Sequence, residues 1–152
     1  MTVGTSRFKY PLRALEVLYA HRLEQACLLL AASQQRLDEH LDHIDQLRAA
    51  LARCHVEWAG APGRVGQFDP ARHLAVREAL TQRQADVNAA LAVGQRLRTE
   101  VERCREGVAQ AHRRAETVQR HKEDAMRECE LESVRMDQLQ ADTAWPFKGK
   151  QT

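Results

Sequence analysis

Turn-forming residues are scarce in this chain. Its 152 residues include only seven glycines and four prolines, and aromatic residues make up 5%. An all-β fold would need more turns and more aromatic and β-branched residues than this. Long apolar runs are also missing. The longest near the start, Cys27 to Ala32, falls far short of the roughly 20 residues that span a bilayer. The first eleven residues carry no apolar core of the signal-peptide kind, so a cytoplasmic location is expected. The four cysteines (Cys27, Cys54, Cys104, Cys129) form no close pair, which excludes a zinc ribbon or a redox CxxC. They read as small apolar residues of a helical seam.

What is present is helix-forming. Apolar residues are 43% and charged residues 29%, a balance typical of long helices and coiled coils rather than of disorder. Turn signals concentrate between Ala59 and Pro70, where Gly60, Pro62, Gly63 and Gly66 lie. Two proline-free segments flank this stretch. In the first, Leu23, Leu30, Leu37, Ile44, Leu51 and Trp58 recur every seven residues as position a. Leu12, Tyr19, Ala26, Ser33, His40, Leu47 and Cys54 form position d. In the second, a runs His73, Leu80, Val87, Gly94, Val101, Val108, Ala115, Lys122, Cys129, Met136. Position d runs Val76, Arg83, Ala90, Leu97, Cys104, Ala111, Val118, Ala125, Glu132, Leu139. A seven-residue repeat held this long predicts supercoiled helices. Pro11 suits a first helical turn, and Asp69-Pro70 reads as a cap followed by a first-turn proline. Gly94 and Gly107 read as soft spots or close-approach points.

The expected fold is all-α. Two long helices form an antiparallel coiled-coil hairpin in a single domain, with helix 12–58, loop 59–69, a longer helix 70–143 and short tails. Pairing counted outward from the loop takes helix one to about residue 117 of helix two. The remainder overhangs with Val118, Ala125, Cys129, Met136 and Leu139 in an uncovered seam. Such a seam implies a partner or self-association, and Phe8 and Tyr10 can fold back over part of it. Two paired helices enclose no cavity, so no enzyme, cofactor or metal site is expected.

The chemistry-bearing motifs are thin. Gly60-Ala61-Pro62-Gly63-Arg64-Val65-Gly66 lacks the Lys-Ser/Thr and strand context of a phosphate loop. His40 and His43 lie near Asp38, Glu39 and Asp42, which fits a polar helix surface with His40 in the seam better than a metal site. Net charge is only +2 but unevenly spread. Residues 96–122 hold eight basic and four acidic groups, and residues 123–142 hold two basic and seven acidic. This is either an alternating solvated face or a two-signed docking surface. Without interleaved aromatics, nucleic-acid binding is not expected.

Interaction surface remains. Val65 and Phe68 are apolar residues in a tip that two helices cannot bury. Val76, Ala79, Leu80 and Arg83 follow them. Val76 and Leu80 fall on the seam, while Phe68 and Arg83 can form an exposed edge. At the other end lie Leu12, Leu15 and Leu18 with Arg120, Lys122, Met126 and Met136. Leu15 and Leu18 widen the apolar stripe beyond a two-helix seam, as a third helix or a ring lining requires.

The opening Phe8-Lys9-Tyr10-Pro11-Leu12-Arg13-Ala14-Leu15, followed by Arg22 and Ala26, resembles the FliJ/YscO family. So do the run Val76-Arg77-Glu78-Ala79-Leu80-Thr81-Gln82 and the charged stretch from Arg113 through Lys122-Glu123 to Asp137. These proteins are central stalks of flagellar and virulence type III secretion systems. The resemblance implies a non-enzymatic stalk at the inner-membrane secretion apparatus. Its paired terminal ends (Leu12, Leu15, Leu18, Arg120, Lys122, Met126, Met136) would enter a hexameric export ATPase. Its loop side (Val65, Phe68, Val76, Ala79, Leu80, Arg83) would face the cytoplasmic domain of the export gate. Secretion chaperones are a further class of partner, and a coiled-coil escort or adaptor is the alternative role.

Overall fold

The computed structural model describes residues 9–59 and 69–144. They form two α-helices, α1 (Arg13–Ala59) and α2 (Pro70–Ala144), with no strand among the described residues. The fold is all-α with the second helix the longer, as the repeat predicts. Residues Gly60 to Phe68, including the tip residues Val65 and Phe68, lie outside the described part, as does Phe8.

Both helix starts follow from local chemistry. Asp69 caps α2: its Oδ1 accepts from the backbone N–H groups of Ala71 at 3.0 Å and Arg72 at 3.4 Å. Pro70 then occupies the first helical position, where no N–H is needed. In α1 the carbonyl of Leu12 accepts from Leu15 and Glu16, and Glu16 places a negative charge in the first turn, where the helix dipole favours it.

The chain divides into two compact units. The middle unit is Ala26–Val108, and the terminal unit combines Met1–Gln25 with Ala109–Thr152. Within each, the helices run antiparallel. In the middle unit Arg36 bonds Glu100 at 2.7 Å, while Trp58 meets His73 with ring centroids 5.1 Å apart. The core of this unit is the predicted seam: Ser33, Ile44, Val87, Ala90, Gly94 and Val101 are buried. The two polar d residues of α1 are both satisfied. Ser33 donates to the carbonyl of Leu30 at 2.9 Å. His40 Nε2 lies 2.7 Å from the carbonyl of Ala90, so it is the nitrogen that carries the proton.

Gly94 is a close-approach point. A Cβ there would stand 3.3 Å from Ile44 Cδ1 and 3.5 Å from His40 Cδ2. Gly107 is not: a Cβ there would meet nothing within 4 Å.

In the terminal unit, Lys122 occupies an a position and is half-buried. Its Nζ donates to Glu16 at 2.7 Å, so the polar seam residue finds its partner across the pair. Tyr10 is buried against α2, its hydroxyl 3.4 Å from the carbonyl of Val118 and 3.0 Å from His121 Nδ1. The pairing extends further along α2 than a count from the loop centre predicts. Val118, Lys122, Ala125 and Cys129 are half-buried, and every residue from 130 to 144 is exposed. The uncovered stretch therefore starts near residue 130 rather than 118. Of the cysteines, Cys54, Cys104 and Cys129 are half-buried at seam positions, whereas Cys27 is exposed off the seam, and all four are free thiols.

Candidate partner-binding surfaces

The heptad sorts the terminal-unit candidates into two sets. Leu12 and Lys122 are half-buried and serve the seam. Leu15, Leu18 and Met126 are exposed to between 36% and 40%, and Met136 to 56%. Arg120 is exposed and donates to Glu116 one turn earlier. The prediction that Leu15 and Leu18 widen the stripe agrees with their partial exposure, which leaves apolar area facing outward. An open groove of this unit runs along Tyr10, Arg13, Glu16, Val17 and Lys122. Its lining mixes cations, an anion, an aromatic ring and an aliphatic side chain. That set suits contact with another protein's side chains.

The structure also exposes residues that reading only positions a and d passes over. Leu131 and Val134 join the seam residues Met136 and Leu139 on the uncovered end of α2, all four more than half exposed. Leu131 and Val134 stand at positions c and f of the repeat, two and five residues after Cys129. Apolar residues at those outward positions were the signal that a seam count ignores.

In the middle unit, Val76 and Leu80 are half-buried in the seam, whereas Ala79 and Arg83 are exposed. Arg83 sits at a d position and still points outward, which leaves its guanidinium available. Val56, Trp58 and Leu74 are exposed apolar residues near the helix ends that border the loop. Trp58, expected in the seam, keeps 41% of its surface exposed while tilting against His73. Its size and position make it a stronger anchor candidate than its seam role suggested. Val65 and Phe68 are not among the described residues. Leu28 and Leu29 form another exposed pair, off the seam in the apolar run that begins at Cys27.

His40 and His43 approach with ring centroids 6.0 Å apart, but His40 is engaged with Ala90. Among the described residues, no three His, Cys, Asp or Glu side chains gather to hold a metal ion. No described helix is long and apolar enough to cross a membrane. In comparisons with protein-family models, with curated proteins and with solved structures, the chain has no match.

Proposed function

We propose that this protein is a non-enzymatic coupling stalk of a type III secretion export apparatus. In this reading the terminal unit engages a hexameric export ATPase through Leu12, Leu15, Leu18, Arg120, Lys122, Met126 and Met136. At the loop end Val65, Phe68, Ala79 and Arg83 engage the cytoplasmic domain of the export gate, with Val76 and Leu80 holding that surface in place from the seam. The work of such a protein is to transmit contact between partners, and it would sit peripherally at the membrane. The observation that carries the reading is the end of α2. A paired heptad seam gives way there to a helical stretch, 130–144, that is exposed throughout and still apolar at Leu131, Val134, Met136 and Leu139. Apolar area of this kind gains free energy only when another surface covers it. The sequence resemblance to the FliJ/YscO family supplies the identity of that partner.

The test is capture of the purified chain by the host's export ATPase with ATP hydrolysis followed in parallel. Binding with faster hydrolysis supports the stalk. Binding to secretion substrates, with the ATPase neither bound nor stimulated, would replace the stalk with a coiled-coil escort.

A further inference from the structure

We infer that residues 130–144 of α2 dock into a partner surface that is apolar, rimmed with lysine and arginine, and folded around the helix on two sides. The inference rests on the ATPase reading for the partner's identity, while its chemistry comes from the helix itself.

The apolar residues of this stretch lie on two faces. Met136 and Leu139 continue positions a and d. Leu131 and Val134 occupy c and f, and at about 100° per residue the four side chains spread over an arc of roughly 200°. All four are more than half exposed. One flat surface can cover one face of a helix and not both. A helix that is apolar over about half its circumference is suited to being enclosed, as in a groove, a bundle or the lumen of a ring.

Charge sets the sign of the partner. Residues 130–144 carry four acidic groups, Glu130, Glu132, Asp137 and Asp142, against one basic group, Arg135, and the helix just before them is acidic too. Glu116, Glu123, Glu130 and Asp137 recur every seven residues along one face. Glu116 and Glu123 are bonded within the helix to Arg120 and Gln119. Arg127 lies 3.6 Å from Asp124. The same stretch of a second copy would bring like charges together, which disfavours tail-to-tail self-pairing. A surface rimmed with cations gains attraction at every acidic position and excludes competing acidic partners.

The experiment uses the full chain and two synthetic heptad peptides with leucine at a and d. One carries lysine at the flanking positions, the other glutamate. The lysine peptide should bind at least about tenfold more tightly, and less so as salt rises. Two copies of the lysine peptide should bind per chain, and the double substitutions Leu131→Ser with Val134→Ser, and Met136→Ser with Leu139→Ser, should each remove one copy with helicity by circular dichroism unchanged. Equal binding of the two peptides overturns the inference. So does indifference to the 131/134 pair, which would mean that only one face is covered, or sedimentation showing the stretch occupied by a second copy. The same variants against the purified export ATPase separate the two claims. Capture that ignores the variants and the salt leaves the ATPase reading standing and defeats this inference. No capture, with the lysine peptide still preferred, does the reverse.

Discussion

His40 lies across the seam of the middle unit over Gly94, with its Cδ2 3.5 Å from where a Cβ of that glycine would stand. The missing side chain lets the imidazole reach the carbonyl of Ala90, one turn earlier in α2, at 2.7 Å. A glycine inside a long helix costs about 1 kcal/mol relative to alanine, so its presence needs a reason. The close approach of His40 and Ile44 supplies one. Polar residues in an otherwise apolar seam also restrict which register two helices adopt, at some cost in stability.

The two helical glycines should therefore answer differently to substitution. Gly107→Ala meets open space and should stabilise the chain by about 1 kcal/mol through helix propensity alone. Gly94→Ala gains the same propensity but must push aside the Ile44 terminal methyl at 3.3 Å, so its net gain should be smaller. Gly94→Leu should lower stability, because no room exists for its further carbons beside Ile44 and His40. Urea unfolding followed by circular dichroism ranks the three. A gain at residue 94 equal to that at 107 would remove the close-approach account.

Much of this architecture is legible in the sequence because the repeat has one reading. Val87, Ala90, Gly94 and Val101, buried in the structure, are all a or d positions. Residues outside the repeat's logic were harder. Counting from the loop centre places Leu12 opposite residue 117, but Glu16 bonds Lys122 and Arg36 bonds Glu100. Long polar side chains reach across an offset of several residues, and polar seam members favour the register in which they are paired. Lys122 is such a member, and from sequence it is only a break in the apolar pattern. Trp58 fails for a related reason: its heptad position is right, but it borders the loop, where the partner helix no longer covers it fully. The exposure of Leu15 and Leu18 follows from their off-seam positions, and the same signal at Leu131 and Val134 is hidden when only a and d are counted.

Tyr10 ties the segment before α1 to α2. Its ring is 8% exposed, and its hydroxyl lies within bonding distance of Val118 and His121. Tyr10→Phe keeps the burial and loses the hydroxyl, so it should cost about 1 kcal/mol. Tyr10→Ala also removes the ring and should cost about 3 kcal/mol. Because the contact is local, hydrogen exchange should rise in the first turns of α1 and around residue 118, with the middle unit unchanged. Uniform loss of protection along both helices would show the two units to unfold as one.

The Glu16–Lys122 pair should contribute modestly. Both side chains keep about 30% exposure, so water screens part of the 2.7 Å contact. A double-mutant cycle with Glu16→Gln and Lys122→Met should give a coupling of about 0.5–1 kcal/mol, falling with added salt. Coupling near zero would mean that the pair settles register without adding stability.

At the loop end, burial separates residues that hold the seam from residues free to meet a partner. Val76 and Leu80 are half-buried, so Val76→Ala and Leu80→Ala should each lower stability, by about 1–3 kcal/mol. Ala79 and Arg83 are exposed, so Ala79→Asp and Arg83→Glu should leave the unfolding midpoint nearly unchanged. On the proposed gate-side role, the exposed pair should nonetheless abolish binding to the gate's cytoplasmic domain. The double change of Phe68 and Arg83 to alanine should do the same with helicity intact. Measured together, unfolding midpoints and gate affinities should be uncorrelated across these variants. If affinity instead tracks stability, with Val76→Ala and Leu80→Ala weakening binding and the exposed changes harmless, the loop end contributes only a folded scaffold and the gate contact lies elsewhere.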